Sequence, residues 1–147
     1  MTLEDAVPVA VEGRIKIPYR WPAGKLGTHF LAALRDEAQI LGLRCPACRR
    51  VHVPPRPNCP RCGGTMGEWV RVGPGGRLVS WTRRGETVFA LVRLDGADTD
   101  LVHVLLNPDR SLLVEGARLG PVYKLSCPGG MNELAGFAIE IPPARLP

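Results

Sequence analysis

Apolar and polar positions divide this chain into stretches of different period. Ile15, Ile17, Tyr19 and Trp21 alternate with Lys16, Pro18 and Arg20, the period of two of an extended strand. Pro8, Pro18 and Pro22 interrupt the segment, too often for a central strand. Residues 1–25 therefore read as an extended arm with apolar side chains and no core of its own. It would lie on the chain's own helix or on a partner's surface. The period then changes. Leu26, Phe30, Leu34 and Ala38 recur every four residues, and Leu31 and Ala33 widen the stripe. This predicts an amphipathic helix over 27–39, with Thr28 as N-cap and Gly42 ending the pattern. Leu41 and Leu43 alternate with Gly42 and Arg44, a short strand.

Further on, short apolar runs are separated by turn residues. Val51-His52-Val53 and 68–72 are small strands. From residue 77 the predicted strands are 78–82, 88–94, 101–106, 122–125 and 136–141. Arg84-Gly85, Asp95-Gly96, Asn107-Pro108 and the stretch from Cys127 to Asn132 mark the turns. Five strands with one longer connection, 109–121, match a five-stranded Greek-key barrel of the OB-fold type. A small open β-sandwich is the alternative. Closing the barrel would remove the edges that such apolar strands otherwise present.

Four of the five cysteines fall between the helix and the barrel strands. Cys45-Pro46-Ala47-Cys48 and Cys59-Pro60-Arg61-Cys62 are two Cys-x-x-Cys knuckles. Two thiolates at that spacing grip one side of a tetrahedral ion, and a second knuckle closes the other side. Pro46 and Pro60 stiffen the turns, and Gly63-Gly64 follows where the chain curls past the ion. The set predicts one structural Zn²⁺ held by Cys45, Cys48, Cys59 and Cys62. Redox dithiols or a disulfide pair would be the competing use. The organisation that results is an arm (1–25), a helix with a zinc ribbon (26–72) and a barrel (73–147). The fold class is mainly β. Pro54-Pro55-Arg56-Pro57 would fix the crossover between the knuckles or offer a rigid docking surface.

Charge changes the picture only after it is divided. The formal net charge is +5. Residues 1–72 carry 11 Lys and Arg against 6 Asp and Glu, and residues 73–147 carry 8 of each. Four thiolates on one Zn²⁺ would bring −2, so the basic half is less basic than its sequence. A barrel half without net charge, and aromatics at 5%, argue against a single-stranded nucleic-acid groove, which needs positive charge and exposed stacking platforms. Trp81, Phe89 and Phe137 fall within strands, where core packing explains them. There is no transmembrane-length apolar run and no basic start leading into an apolar signal segment. Thiols arranged for metal then suit the cytoplasm.

No catalytic constellation emerges. Four cysteine ligands leave no open position on the metal. His29, His52 and His103 are scattered, and His52 would matter as a ligand only if a cysteine were missing. Cys127, in Ser126-Cys127-Pro128, is the fifth cysteine and has no evident base beside it. Asp95, Asp98 and Asp100 lack the remainder of a calcium loop. Gly73-Pro74-Gly75-Gly76 has the glycines of a phosphate loop but no lysine and no following helix.

The order of motifs resembles a bacterial and archaeal family of acyl-CoA-associated proteins, long catalogued as a domain of unknown function. Its members join a helix, a rubredoxin-like zinc ribbon and a C-terminal OB-fold. The matching pieces include Phe30-Leu31-Ala32-Ala33-Leu34-Arg35, the strand into Cys45, and Val53-Pro54-Pro55-Arg56 before Cys59. Gly76-Arg77-Leu78-Val79-Ser80-Trp81-Thr82, Phe89-Ala90-Leu91-Val92-Arg93-Leu94-Asp95-Gly96 and Glu115-Gly116-Ala117-Arg118-Leu119 continue the match through the barrel. The resemblance spans residues 26–142. It implies a non-catalytic subunit in coenzyme A thioester chemistry, with a thiolase-like or enoyl-CoA hydratase-like partner in a hetero-oligomer. Thiolytic cleavage, condensation and retro-aldol cleavage all fall within that implication. Contact of Arg83 and Arg84 with coenzyme A phosphates competes with a solvated hairpin tip. Single-stranded nucleic-acid binding is the reading from a different class.

Overall fold

The computed structural model describes residues 10, 12–14, 17–18, 20–106, 108–124 and 134–140. Most of the arm, Cys127 and the last predicted residues of the fourth and fifth barrel strands lie outside them. Among the described residues, one α-helix and eight strands follow in chain order. They are α1 (Gly24–Glu37), β1 (Ile40–Arg44), β2 (Val51–His52), β3 (Glu68–Val72), β4 (Gly76–Arg84), β5 (Thr87–Leu94), β6 (Asp100–Leu105), β7 (Arg118–Tyr123) and β8 (Leu134–Ile139).

The helix begins four residues before the expected Thr28 cap. Ala23 stands at its N-terminus and makes no side-chain capping bond. Tertiary packing sets this start: Leu26 lies against the cysteine cluster, and the His29 ring sits 4.5 Å from that of Trp69. At the other end Ala38, with φ of 50°, turns the chain and returns its N–H to the Ala33 carbonyl. Gly42 is therefore not the helix stop. It lies in the middle of β1, where an added Cβ would come within 2.8 Å of Val51. Its lack of a side chain lets the neighbouring strand close in.

β1 is the centre of a three-stranded antiparallel sheet in the order β2-β1-β3. The other five strands form a closed barrel in the order β4-β5-β6-β8-β7. Numbered within the barrel this is 1-2-3-5-4, with β6 and β8 parallel at Leu105 and Phe137 and β7 closing onto β4 at Leu119 and Gly76. That connectivity is the Greek-key OB-fold expected from the strand pattern, and the open sandwich is set aside. The fourth barrel strand starts at Arg118, earlier than the predicted 122, and contains Pro121. Proline reads as a break because it cannot donate to a ladder. Here β7 pairs with β4 only through Arg118 and Leu119, so Pro121 stands beyond that ladder, where one side of the strand has no partner.

A single apolar core crosses from the helix to the barrel. Phe30 and Leu34 of α1, Ile40, Val51, Val53 and Val72 of the small sheet, and Leu78, Val92, Leu119, Leu134 and Phe137 of the barrel belong to it. A polar clamp reinforces the junction. The loop after β5 presents Thr99, whose Oγ1 accepts from the Val53 N–H at 2.8 Å and donates to the Val53 carbonyl at 3.0 Å. Asp98 accepts from the Val51 N–H through Oδ2 at 2.9 Å and returns its own N–H to the Val51 carbonyl. β2 is only two residues long, so a barrel loop supplies the backbone partners that its open edge lacks.

Candidate metal centre

Both knuckles are built the same way, for a reason visible in their backbones. In the first, the Cys45 N–H donates to Arg50 O, and the Arg49 N–H donates to Cys45 O, both at 2.8 Å. In the second, Cys59 and Gly63 repeat the pattern with Gly64, again at 2.8 Å. Each turn needs a left-handed residue four positions after its first cysteine. Gly63 supplies it at φ 74° without steric cost, whereas Arg49 adopts it at φ 64°. Folding each turn back aims its two sulfurs inward.

The four Sγ atoms of Cys45, Cys48, Cys59 and Cys62 lie within 4.8 Å of one another. The Cys45–Cys62 and Cys48–Cys59 sulfur separations are 3.5 and 3.6 Å. A tetrahedral Zn²⁺ with Zn–S bonds of ~2.3 Å requires edges of ~3.8 Å, so the donors fit that ion. Soft thiolates and a four-fold set exclude Ca²⁺ and Mg²⁺ as natural occupants. Bound zinc would cross-link the two knuckles and neutralise half of the charge of four thiolates. Leu43 and Met66 are buried among the cysteines, with Leu26 and Trp69 packed against them.

The four positions are electrostatically unequal. At Cys59, burial pushes the thiol up, but the Cys62 and Arg61 N–H groups outweigh it and hold the value at about 6. The Cys48 N–H likewise lowers Cys45, against its burial. Cys62 goes the other way. The Gly64 N–H lowers it, but the neighbouring sulfurs of Cys45 and Cys59 drive it up to about 11. Four thiolates this close repel, so a metal-free site keeps protons that zinc uptake must displace. Exposure follows a similar division: Cys45 and Cys59 are buried, Cys48 is intermediate and Cys62 is exposed.

The other sequence candidates separate from this site. Asp95 pairs with Arg118 at 2.8 Å, Asp98 holds the ribbon clamp and Asp100 pairs with Arg93. All three acids are thus engaged in structure. His103 meets the Phe137 ring edge-on at 6.0 Å. Gly73 and Gly75 join the Asp95 backbone in a turn that starts the barrel. Trp81 departs from its expectation of a core position. It is 43% exposed, and its indole N–H reaches the Leu113 carbonyl at 3.2 Å. Phe89 is half-buried, and Phe137 is fully buried. Strand membership alone did not say which side of the barrel wall each ring would take. The structure also adds one residue to the metal centre. His52 is buried, and its Nε2 lies 3.6 Å from the Cys59 sulfur. The signal available beforehand was the alternation of Val51-His52-Val53 between the knuckles.

A tetrathiolate ribbon clamped to a five-stranded OB barrel defines the class of protein: a zinc-ribbon/barrel protein. Residues 32–67 match the family described as ChsH2, rubredoxin-like zinc ribbon domain. That match covers the ribbon segment, which is similar to this family's domain. Among solved structures, a chain of the Ltp2-ChsH2(DUF35) aldolase superposes with a TM-score of 0.58 at 24% identity, covering 81% of this chain and 98% of that one. A DUF35-family protein of unknown function from Sulfolobus solfataricus gives a TM-score of 0.59 at 19% identity, over 80% of this chain and 87% of its own. No functionally curated protein sequence matches this chain. No helix among the described residues is long and apolar enough to cross a membrane.

Proposed function

We propose that this chain is a non-catalytic, zinc-stapled subunit of a thiolase-type complex that makes or breaks carbon–carbon bonds in acyl-CoA substrates in the cytoplasm. The observation that carries this reading is the outer wall of the barrel. Val102 on this wall is 62% exposed. Leu91 is the register partner of Val102, and half-buried Phe89 is that of half-buried Val104. Ser80, Thr82, Phe89, Leu91 and Val102 line a shallow groove there. A barrel that worked alone would gain solubility from polar residues on this wall. A continuous apolar strip marks a surface made for another protein.

The occupant that this surface takes is the catalytic subunit. The family resemblance implies a thiolase-like partner, and the structural likeness to a chain of an aldolase complex agrees with a subunit role. Within the class, retro-aldol cleavage is the variant that likeness favours. The catalytic nucleophile and bases would belong to the partner. The nucleic-acid reading has less support. Arg93 and Arg118 are engaged by Asp100 and Asp95, and the barrel half carries as many acidic as basic residues.

The test is co-purification of the tagged full chain from its host, followed by assay of the reconstituted pair on acyl-CoA thioesters. Recovery of a thiolase-like subunit, with turnover by the pair but not by this chain alone, is expected. Val102→Asp should abolish recovery and leave the chain folded and zinc-loaded. If neither a thiolase-like nor a hydratase-like protein is recovered, and a labelled oligonucleotide instead binds tightly at low salt, the reading is wrong.

A further inference from the structure

The charge of a tetrathiolate centre must be met by donors, and here one of them is a side chain. β2 alternates: Val51 and Val53 enter the core shared with the barrel, and His52 points to the other side, level with Leu43 in the register of β1. Leu43 itself packs among the cysteines. His52 is 3% exposed, and it is the buried polar side chain of the described core. Its Nε2 lies 3.6 Å from the Cys59 sulfur. It is not one of the cluster of ligand atoms, which comprises the four sulfurs alone. The ring therefore sits behind Cys59 rather than in the coordination shell.

We propose that His52 is a positioning residue for the metal, donating its Nε2–H to the Cys59 thiolate. A zinc-bound thiolate is an acceptor with no proton to give, so a ring nitrogen that faces it must be the protonated one. An imidazole buried beside a sulfur without that bond would be an uncompensated polar group. The N–H···S bond withdraws charge from the sulfur and fixes the Cys59 rotamer. The metal centre then has two unlike sides. Cys59, backed by His52, is the sealed anchor. Cys62, exposed at the surface, is the ligand from which exchange begins. Outer-shell donors of this kind change metal affinity by about 10–100-fold. The inference rests on the zinc reading of the four cysteines and is independent of any partner.

The full-length zinc-loaded chain tests it. His52→Phe keeps the ring and removes the donor, and His52→Gln restores an N–H. His52→Phe should speed zinc loss to an excess of chelator by about tenfold, with His52→Gln in between. In cobalt-substituted protein, His52→Phe should move the sulfur-to-metal charge-transfer band to lower energy, because the sulfur has lost a hydrogen bond. A purely packing role would leave that band in place. Equal release rates and an unmoved band in His52→Phe would overturn the proposal. Should His52→Phe fail to fold, the wild-type chain loaded with ¹¹³Cd decides by ¹⁵N NMR. Nε2-protonated His52 coupled to cadmium is expected, and an Nδ1-protonated ring would refute the donor. A metal content well below one per chain would instead refute the zinc reading.

Discussion

The ribbon and the barrel of this protein achieve order by different means. The barrel closes five strands around a full apolar core, in which Leu119 and Phe137 are wholly buried. The ribbon has a two-residue strand, two turns and a small apolar cluster formed mostly by the cysteines and their immediate neighbours. Alone it would bury too little to offset its chain entropy, which is why small modules of this kind use metal as a staple. Yet the ribbon is not an independent bead. Its sheet shares the barrel's core, and Asp98 and Thr99 reach from the barrel to hold its weakest strand. The difference teaches a division of labour. The metal orders the knuckles, and the barrel orders the sheet that carries them.

Three substitutions probe that division. Cys48→Ser has the largest expected effect. It removes one of four thiolates, and structural zinc in ribbon-sized modules contributes roughly 10–16 kcal/mol of folding free energy. Metal content should drop from one zinc per chain to none, and the ribbon amides should lose hydrogen-exchange protection while the barrel amides keep theirs. One retained zinc with unchanged protection would refute the tetrathiolate. Phe137→Ala attacks the other side. It should cost about 3–5 kcal/mol in denaturant melts, with zinc still bound below the transition. Simultaneous loss of zinc at low denaturant would show that the ribbon borrows more from the barrel than the comparison allows. Thr99→Val is the smallest of the three. It strips the Val53 backbone of both partners without changing the side chain's shape, a cost of about 1–3 kcal/mol. It should accelerate opening of β2 in hydrogen exchange more than opening of β5. Equal changes in both strands would mean that the clamp is not local.

Much of this architecture could be read from the chain. The two knuckles, the helix and five barrel strands announced themselves because each is a local pattern. Cysteine spacing is dictated by the reach of two sulfurs to one ion, and apolar period is dictated by which face is buried. What escaped depends on neighbours far away in sequence. The helix starts at Gly24 because Leu26 and His29 meet the ribbon. Gly42 is a contact glycine and not a cap, because Val51 approaches it. A bulge between Leu78 and Ser80 sets Trp81 opposite buried Ala90, yet it stays 43% exposed with its indole turned to the Leu113 carbonyl. Asp95, Asp98 and Asp100, whose spacing did not complete a calcium loop, are divided among three unrelated structural tasks.

The metal centre shows the same boundary in miniature. The sequence alone determined its ligand types and their pairing into knuckles, because Cys-x-x-Cys is short enough for its chemistry to be local. Only the tertiary structure decided that the four sulfurs stand at zinc-sized separations, that Cys59 is sealed and Cys62 open, and that His52 lies behind one sulfur. Those features come from strands packing across a sheet and from a barrel loop gripping β2. Distances of that kind are set by the whole fold, and no window of the sequence contains them.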